Sequence, residues 1–129
     1  MIKGIGGANE LLLKQAGIHS MKDLLEEGYS KIGRTEIARR SGISERLILK
    51  WVNHADLFRV KGIGDQYAEF LYAVGVDTVP KLAGKIPELL SSEMALINVT
   101  KRLVRRIPTI RQIENWIHQA GKLPLVIEC

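Results

Sequence analysis

Ile2-Lys3-Gly4-Ile5-Gly6 and Val60-Lys61-Gly62-Ile63-Gly64 are two settings of one pattern, and laying the second on the first at a constant offset of 58 residues decides how the rest of the chain is read. From Ile2 to Leu25 the register needs no gap: Leu13 meets Leu71, Gly17 meets Gly75 and Leu24 meets Leu82. Glycines that keep their places through a repeat mark positions where backbone geometry matters. Once about seven extra residues are allowed in the second copy, Arg46, Ile48, Trp51 and Ala55 coincide with Arg111, Ile113, Trp116 and Ala120. The expected organisation is a single domain over residues 1–129, with internal repeats at 1–58 and 59–124 and a short apolar tail at 125–129.

Each copy reads as helical. After the Gly-Ile-Gly turn, residues 7–16 and 65–74 form a stretch that stops at Gly17 or Gly75, as helices do at a C-cap glycine. Ser20 and Thr78 then offer hydroxyls to the open amides of a second helix, and Asp77 offers a further capping oxygen. A third helix is expected over 34–41 and, lengthened by the extra residues, over 92–106. The last helix begins at Ser44 and carries Leu47, Ile48, Trp51, Val52 and Ala55 at three-four spacing; Ile110, Ile113, Trp116, Ile117 and Ala120 repeat that stripe, so both tryptophans are core anchors. The composition agrees: 46% of the 129 residues are hydrophobic but only 5% aromatic, and β-branched runs are short, which favours an all-α fold over strands.

Val60-Lys61-Gly62-Ile63-Gly64, followed by Ala68, Leu71 and Gly75-Val76, resembles the helix-hairpin-helix signature. Nearly the whole chain resembles an uncharacterised bacterial family of tandem helix-hairpin-helix proteins, a domain of unknown function, through residues 43–53, 55–59 and 101–106. The resemblance implies two tandem helix-hairpin-helix repeats packed as one pseudo-twofold domain. It also implies a device for holding phosphate: glycines let the backbone turn tightly, and amides of the turn and of the following helix start face an anion. Such contacts position a duplex without reading its bases. The candidate nucleic-acid-binding residues are Lys3, Gly4, Gly6, Lys61, Gly62 and Gly64, with Arg102, Arg105 and Arg106 as a basic cluster unbalanced by nearby acids. The sequence departs from nucleic-acid-binding members just after the second glycine, where Gly7-Ala8-Asn9 and Asp65-Gln66-Tyr67 replace a lysine or arginine; Asp65 repels a phosphate.

Because residue 4 leaves almost no chain ahead of the first hairpin, residues 112–121 are expected to pack back on the amino terminus and complete the first unit. Residues 36–48 also have helix-turn-helix spacing in Ala38, Gly42 and Ile48, with Ser44, Glu45, Arg46 and Lys50 facing bases. The aligned Leu103, Ile107 and Ile113 of the second copy lose that alanine and glycine. A second basic set, Arg34, Arg39, Arg40, Arg46 and Lys50, is interleaved with Glu36 and Glu45.

The formal net charge of +5 permits a phosphate-rich partner without demanding one. The single cysteine, Cys129, supplies neither a disulfide framework nor a cysteine-rich zinc site. His19, His54 and His118 read as surface residues at unrelated positions, and no metal, cofactor or small-molecule substrate is implied. Without a leader or an apolar span of roughly 20 residues, a cytoplasmic protein with no membrane contact is expected. The sequence thus points to a non-enzymatic, non-sequence-specific nucleic-acid (DNA) binder. The alternative is a protein-interaction module, marked by an exposed apolar patch around Leu57, Phe58 or the tail. A DNA-processing enzyme comes third: Val76-Asp77-Thr78 superficially resembles the catalytic aspartate of DNA glycosylases but lies too near Gly64.

Overall fold

The computed structural model describes residues 5–128. They form eight helices and no strands: α1 (Gly7–Gln15), α2 (Met21–Gly28), α3 (Lys31–Ser41), α4 (Glu45–Leu57), α5 (Asp65–Ala73), α6 (Val79–Ala83), α7 (Pro87–Lys101) and α8 (Ile110–Lys122). The chain divides into two compact units, one running through Asp56 and joined by the tail from Val126, the other Leu57–Leu125. The element order repeats. Helix α5 begins and ends 58 residues after α1, α6 begins 58 after α2, and α8 begins and ends 65 after α4.

Local chemistry explains these boundaries. Helices α1 and α5 both end in a Schellman turn. Gly17 (φ +92°) and Gly75 (φ +84°) take the left-handed conformation, the Ile18 amide donates to Leu13 O at 2.9 Å, and the Val76 amide donates to Leu71 O at 2.8 Å. The Ser20 hydroxyl accepts from the Asp23 amide, and that of Thr78 from the Lys81 amide. Asp77 does not cap; it pairs with Lys81 at 2.8 Å. Helix α3 starts at Lys31, earlier than expected, because the Ser30 hydroxyl accepts from the Gly33 amide. Helix α7 differs most from expectation. Pro87 in its first turn pre-sets the helical φ, and Arg102 at φ +46° ends it. Thr109 and Gln112 form a capping box that opens α8.

In the first unit, Ile5, Leu13, Ile18, Leu24, Ile37, Ile48 and Trp51 share one core, and Ile127 of the tail packs against it. The tail is fastened there by Arg34, a buried guanidinium that donates to Gly28 O and Tyr29 O, both at 2.9 Å, and to Glu128 O at 2.5 Å. The Glu128 amide completes the link to Tyr29 O at 2.8 Å. In the second unit, Val60, Ile63, Phe70, Leu71, Met94, Ile113 and Trp116 belong to one core. Helix α8 packs on α6 and α7, and Trp116 lies on Tyr67 with ring centroids 5.0 Å apart. The expectation that residues 112–121 complete the first unit is therefore overturned: each unit is closed by its own tryptophan helix, Trp51 beside Ile5 and Trp116 within the second core. Leu57 is fully buried and Phe58 packs on the second core, so neither offers an exposed apolar patch, whereas Leu125 of the tail is 74% exposed. Among the described residues no helix is long and apolar enough to cross a membrane.

Candidate nucleic-acid interface

The second unit brings together the hairpin turn, a helix start and a basic loop. In the turn, the Val60 amide donates to Leu57 O and the Ile63 amide to Val60 O, while Ile63 is buried beneath. Gly62 is held at φ +99°, and a Cβ on it would come within 2.9 Å of Trp116 Nε1. That glycine serves the core as much as the turn. Gln119 of α8 grips the exposed Lys61 from both sides: its Oε1 accepts from the Lys61 amide at 2.8 Å and its Nε2 donates to the Lys61 carbonyl at 3.2 Å. Gly64 caps α5, and the Ala68 amide is the first to bond back, to Gly64 O at 2.9 Å. The amides of Asp65, Gln66 and Tyr67 thus precede any intrahelical acceptor and form the positive end of the helix. Asp65 in that first turn opposes an incoming anion.

The basic loop follows α7. Asn98 closes it with two bonds, Nδ2 donating to Val104 O at 3.0 Å and Oδ1 accepting from the Val104 amide at 3.1 Å. Gln66 then fastens it to the start of α5, its Nε2 donating to Leu103 O at 3.0 Å. Arg102, Arg105 and Arg106 are exposed on this loop, and among the described residues none is in an ion pair. Lys61, Gly62, Gly64 and the three arginines predicted from sequence therefore lie on segments tied to one another through Gln119, Trp116, Gln66 and Asn98. From sequence Trp116 reads only as a core anchor, and none of the three amide side chains is given a role in the site. An amide side chain in a helix carries no periodic signal, and only the folded path supplies its partner.

The first unit is arranged differently. Lys3 and Gly4 lie outside the described residues. Gly6, at φ +82°, caps α1 with open space around it, and Asn9 Nδ2 donates to Ile5 O at 3.0 Å. Its basic residues do not form a free stripe. Arg34 is buried on carbonyls, Arg39 is paired with Glu36, and Arg40 donates to Ala16 O at 2.7 Å while facing Glu27 and Glu36. The hydrogen bonds from Arg39, with the charges of Arg39 and Arg40, hold the Glu36 carboxyl below the usual carboxylate range. The same pairing raises Arg39. In the segment with helix-turn-helix spacing, Ser44 caps the Leu47 amide and Glu45 accepts from Thr35 Oγ1. Ser44 and Glu45, both considered for base contact, are thus engaged within the unit.

His54 is not a surface residue: it is 1% exposed, with Nδ1 3.0 Å from the Lys50 carbonyl, to which it must donate. Among the described residues no group of three or more His, Cys, Asp or Glu side chains is placed to hold a metal ion.

Among the described residues, fold and site define an all-helical protein of two four-helix units, the second displaying an arginine loop without ion pairs beside a helix N-terminus. The chain belongs to the family described as a domain of unknown function (DUF4332), whose model matches residues 3–123. No curated protein and no solved structure matches it significantly.

Proposed function

We propose that the protein is a non-enzymatic binder of nucleic acid that holds the phosphate backbone without reading sequence. In this reading the two units are tandem helix-hairpin-helix repeats related by a pseudo-twofold, and the second does most of the binding. A phosphate is received by the amides at the start of α5 and by Arg102, Arg105, Arg106 and Lys61, as helix N-termini and guanidinium groups receive anions generally. The observation that carries the reading is the Gln66–Leu103 bond, which fixes the arginine loop to that helix start. The arginines' positive charge outweighs the single Asp65 carboxylate. The paired arginines of the first unit give it a lesser share.

The test is amide NMR of the whole protein during titration with a short duplex DNA, with single-stranded DNA and duplex RNA as comparisons. Shifts are expected first at Lys61, Gly64, Asp65 and Gln66 and at residues 102–106, to similar extents for unrelated sequences. Shifts confined to α3 and α4, or strong preference for one sequence, overturn the proposal in favour of base readout. No shifts at low salt overturn it in favour of a protein partner.

A further inference from the structure

Helix α7 has two apolar faces, and only one is used. Leu90 and Met94 are fully buried in the second core, whereas Leu89 (58% exposed), Leu96 (73%) and Val99 (73%) lie on the opposite side, with Ile86 (56%) at the helix entrance. Leu89, Ser92, Leu96 and Val99 follow alternating three and four residue steps, the seam of a helix pair. Beside the seam, Ala73, Val74, Glu93, Leu96 and Ile97 line an open groove of ≈ 310 Å³. Apolar side chains aligned this way are unlike the scattered exposed hydrophobics of an ordinary surface.

We infer that this face of α7 pairs with the same face of a second copy of the chain, the two helices running antiparallel. The seam is self-complementary in that direction: Leu89 meets Val99 of the other copy and Ser92 meets its Leu96, so each large residue faces a smaller one. The ends match in charge. Glu88 at the helix start flanks the seam on the same side as Arg102 at its finish, so antiparallel pairing sets each Glu88 against the other copy's Arg102 and also aligns the helix dipoles favourably. Parallel pairing sets like charge on like. On the opposite flank Glu93 meets its own copy, an exposed like-charge pair of small weight beside the three apolar seam residues that each copy contributes. A fifteen-residue helix is only about 22 Å long, so the face is smaller than a standard interface, and the association is weak.

Sedimentation equilibrium of the whole protein without nucleic acid, from micromolar to millimolar concentration, tests the inference independently of phosphate binding. The weight-average mass should rise from 14.4 kDa toward twice that value. Leu96→Glu, at an exposed position that leaves the helical circular dichroism unchanged, should abolish the rise. Glu88→Arg should weaken association at least threefold, and Glu88→Arg combined with Arg102→Glu should restore it. A monomer at every concentration overturns the inference, as does a dimer indifferent to Leu96→Glu. A dimer lost with Leu96→Glu but indifferent to the charge exchange overturns the antiparallel register.

Discussion

Replacing Gly62 with alanine tests how the hairpin turn is coupled to the core beneath it. At φ +99° an L-residue carries steric strain, and the new Cβ falls 2.9 Å from Trp116 Nε1, a separation real Cβ atoms essentially never show. The indole cannot simply withdraw, because it is 2% exposed and lies on Tyr67. Strain from the left-handed backbone costs about 1–2 kcal/mol, and overpacking a filled site costs about 1–3 kcal/mol. Together they give a destabilisation of roughly 2–5 kcal/mol, a large fraction of ordinary domain stability. The assay is urea unfolding followed by circular dichroism, read from the midpoint at constant slope. Gly64→Ala is the internal control: Gly64 has an ordinary extended backbone and nothing within 4 Å of the added atom, so the loss should stay below about 1 kcal/mol. Combining Gly62→Ala with Trp116→Phe should cost less than the two changes summed, because the shared contact is lost only once. Equal losses for the two glycine variants refute the reasoning.

Three further outcomes follow from named contacts. Arg34→Met should cost about 3 kcal/mol, since it removes the guanidinium's bonds to Gly28 O, Tyr29 O and Glu128 O and leaves Tyr29 O with the Glu128 amide, and hydrogen exchange should show residues 126–128 opening first. Asn98→Ala should cost about 1–2 kcal/mol and should weaken nucleic-acid binding although it removes no charge, because the arginine loop loses its two-bond closure; unchanged affinity in an anisotropy titration counts against a preorganised loop. Glu36 titrates below the ordinary carboxylate range when folded, so its contribution is present above the unfolded pKa and is lost as pH falls through the lower folded value. The stability difference between wild type and Glu36→Gln, small because the pair is exposed, should therefore vanish in acid.

Much of the fold was legible because local rules agreed with the tertiary structure. Gly17 and Gly75 stop helices, Ser20 and Thr78 start them, and the tryptophan stripes face inward apart from Ile110, which is 42% exposed. The misread features have distant causes. Arg34 reads as a solvated cation because its Glu128 partner is 94 residues away. His54 reads as exposed because nothing in its spacing reports burial. The limits of α7 differ from the expected 92–106 because Pro87 opens the helix and because Arg102 turns left-handed without being glycine. In the candidate interface, the glycines and arginines were visible as a repeat and a charge cluster. Their connection through Gln66, Asn98 and Gln119 was not, because each bond joins segments that only the folded chain brings together.

The central claim is tested most directly by the salt dependence of duplex DNA binding, measured by fluorescence anisotropy for wild type and for Arg105→Ala combined with Arg106→Ala. If Lys61, Arg102, Arg105 and Arg106 each neutralise one phosphate, log K should fall against log salt with a slope of about −3.6, roughly a hundredfold loss between about 50 and 200 mM, and the variant's slope should be about −1.8. Binding with the same slope in both proteins, or no binding by the wild type at low salt, contradicts the account.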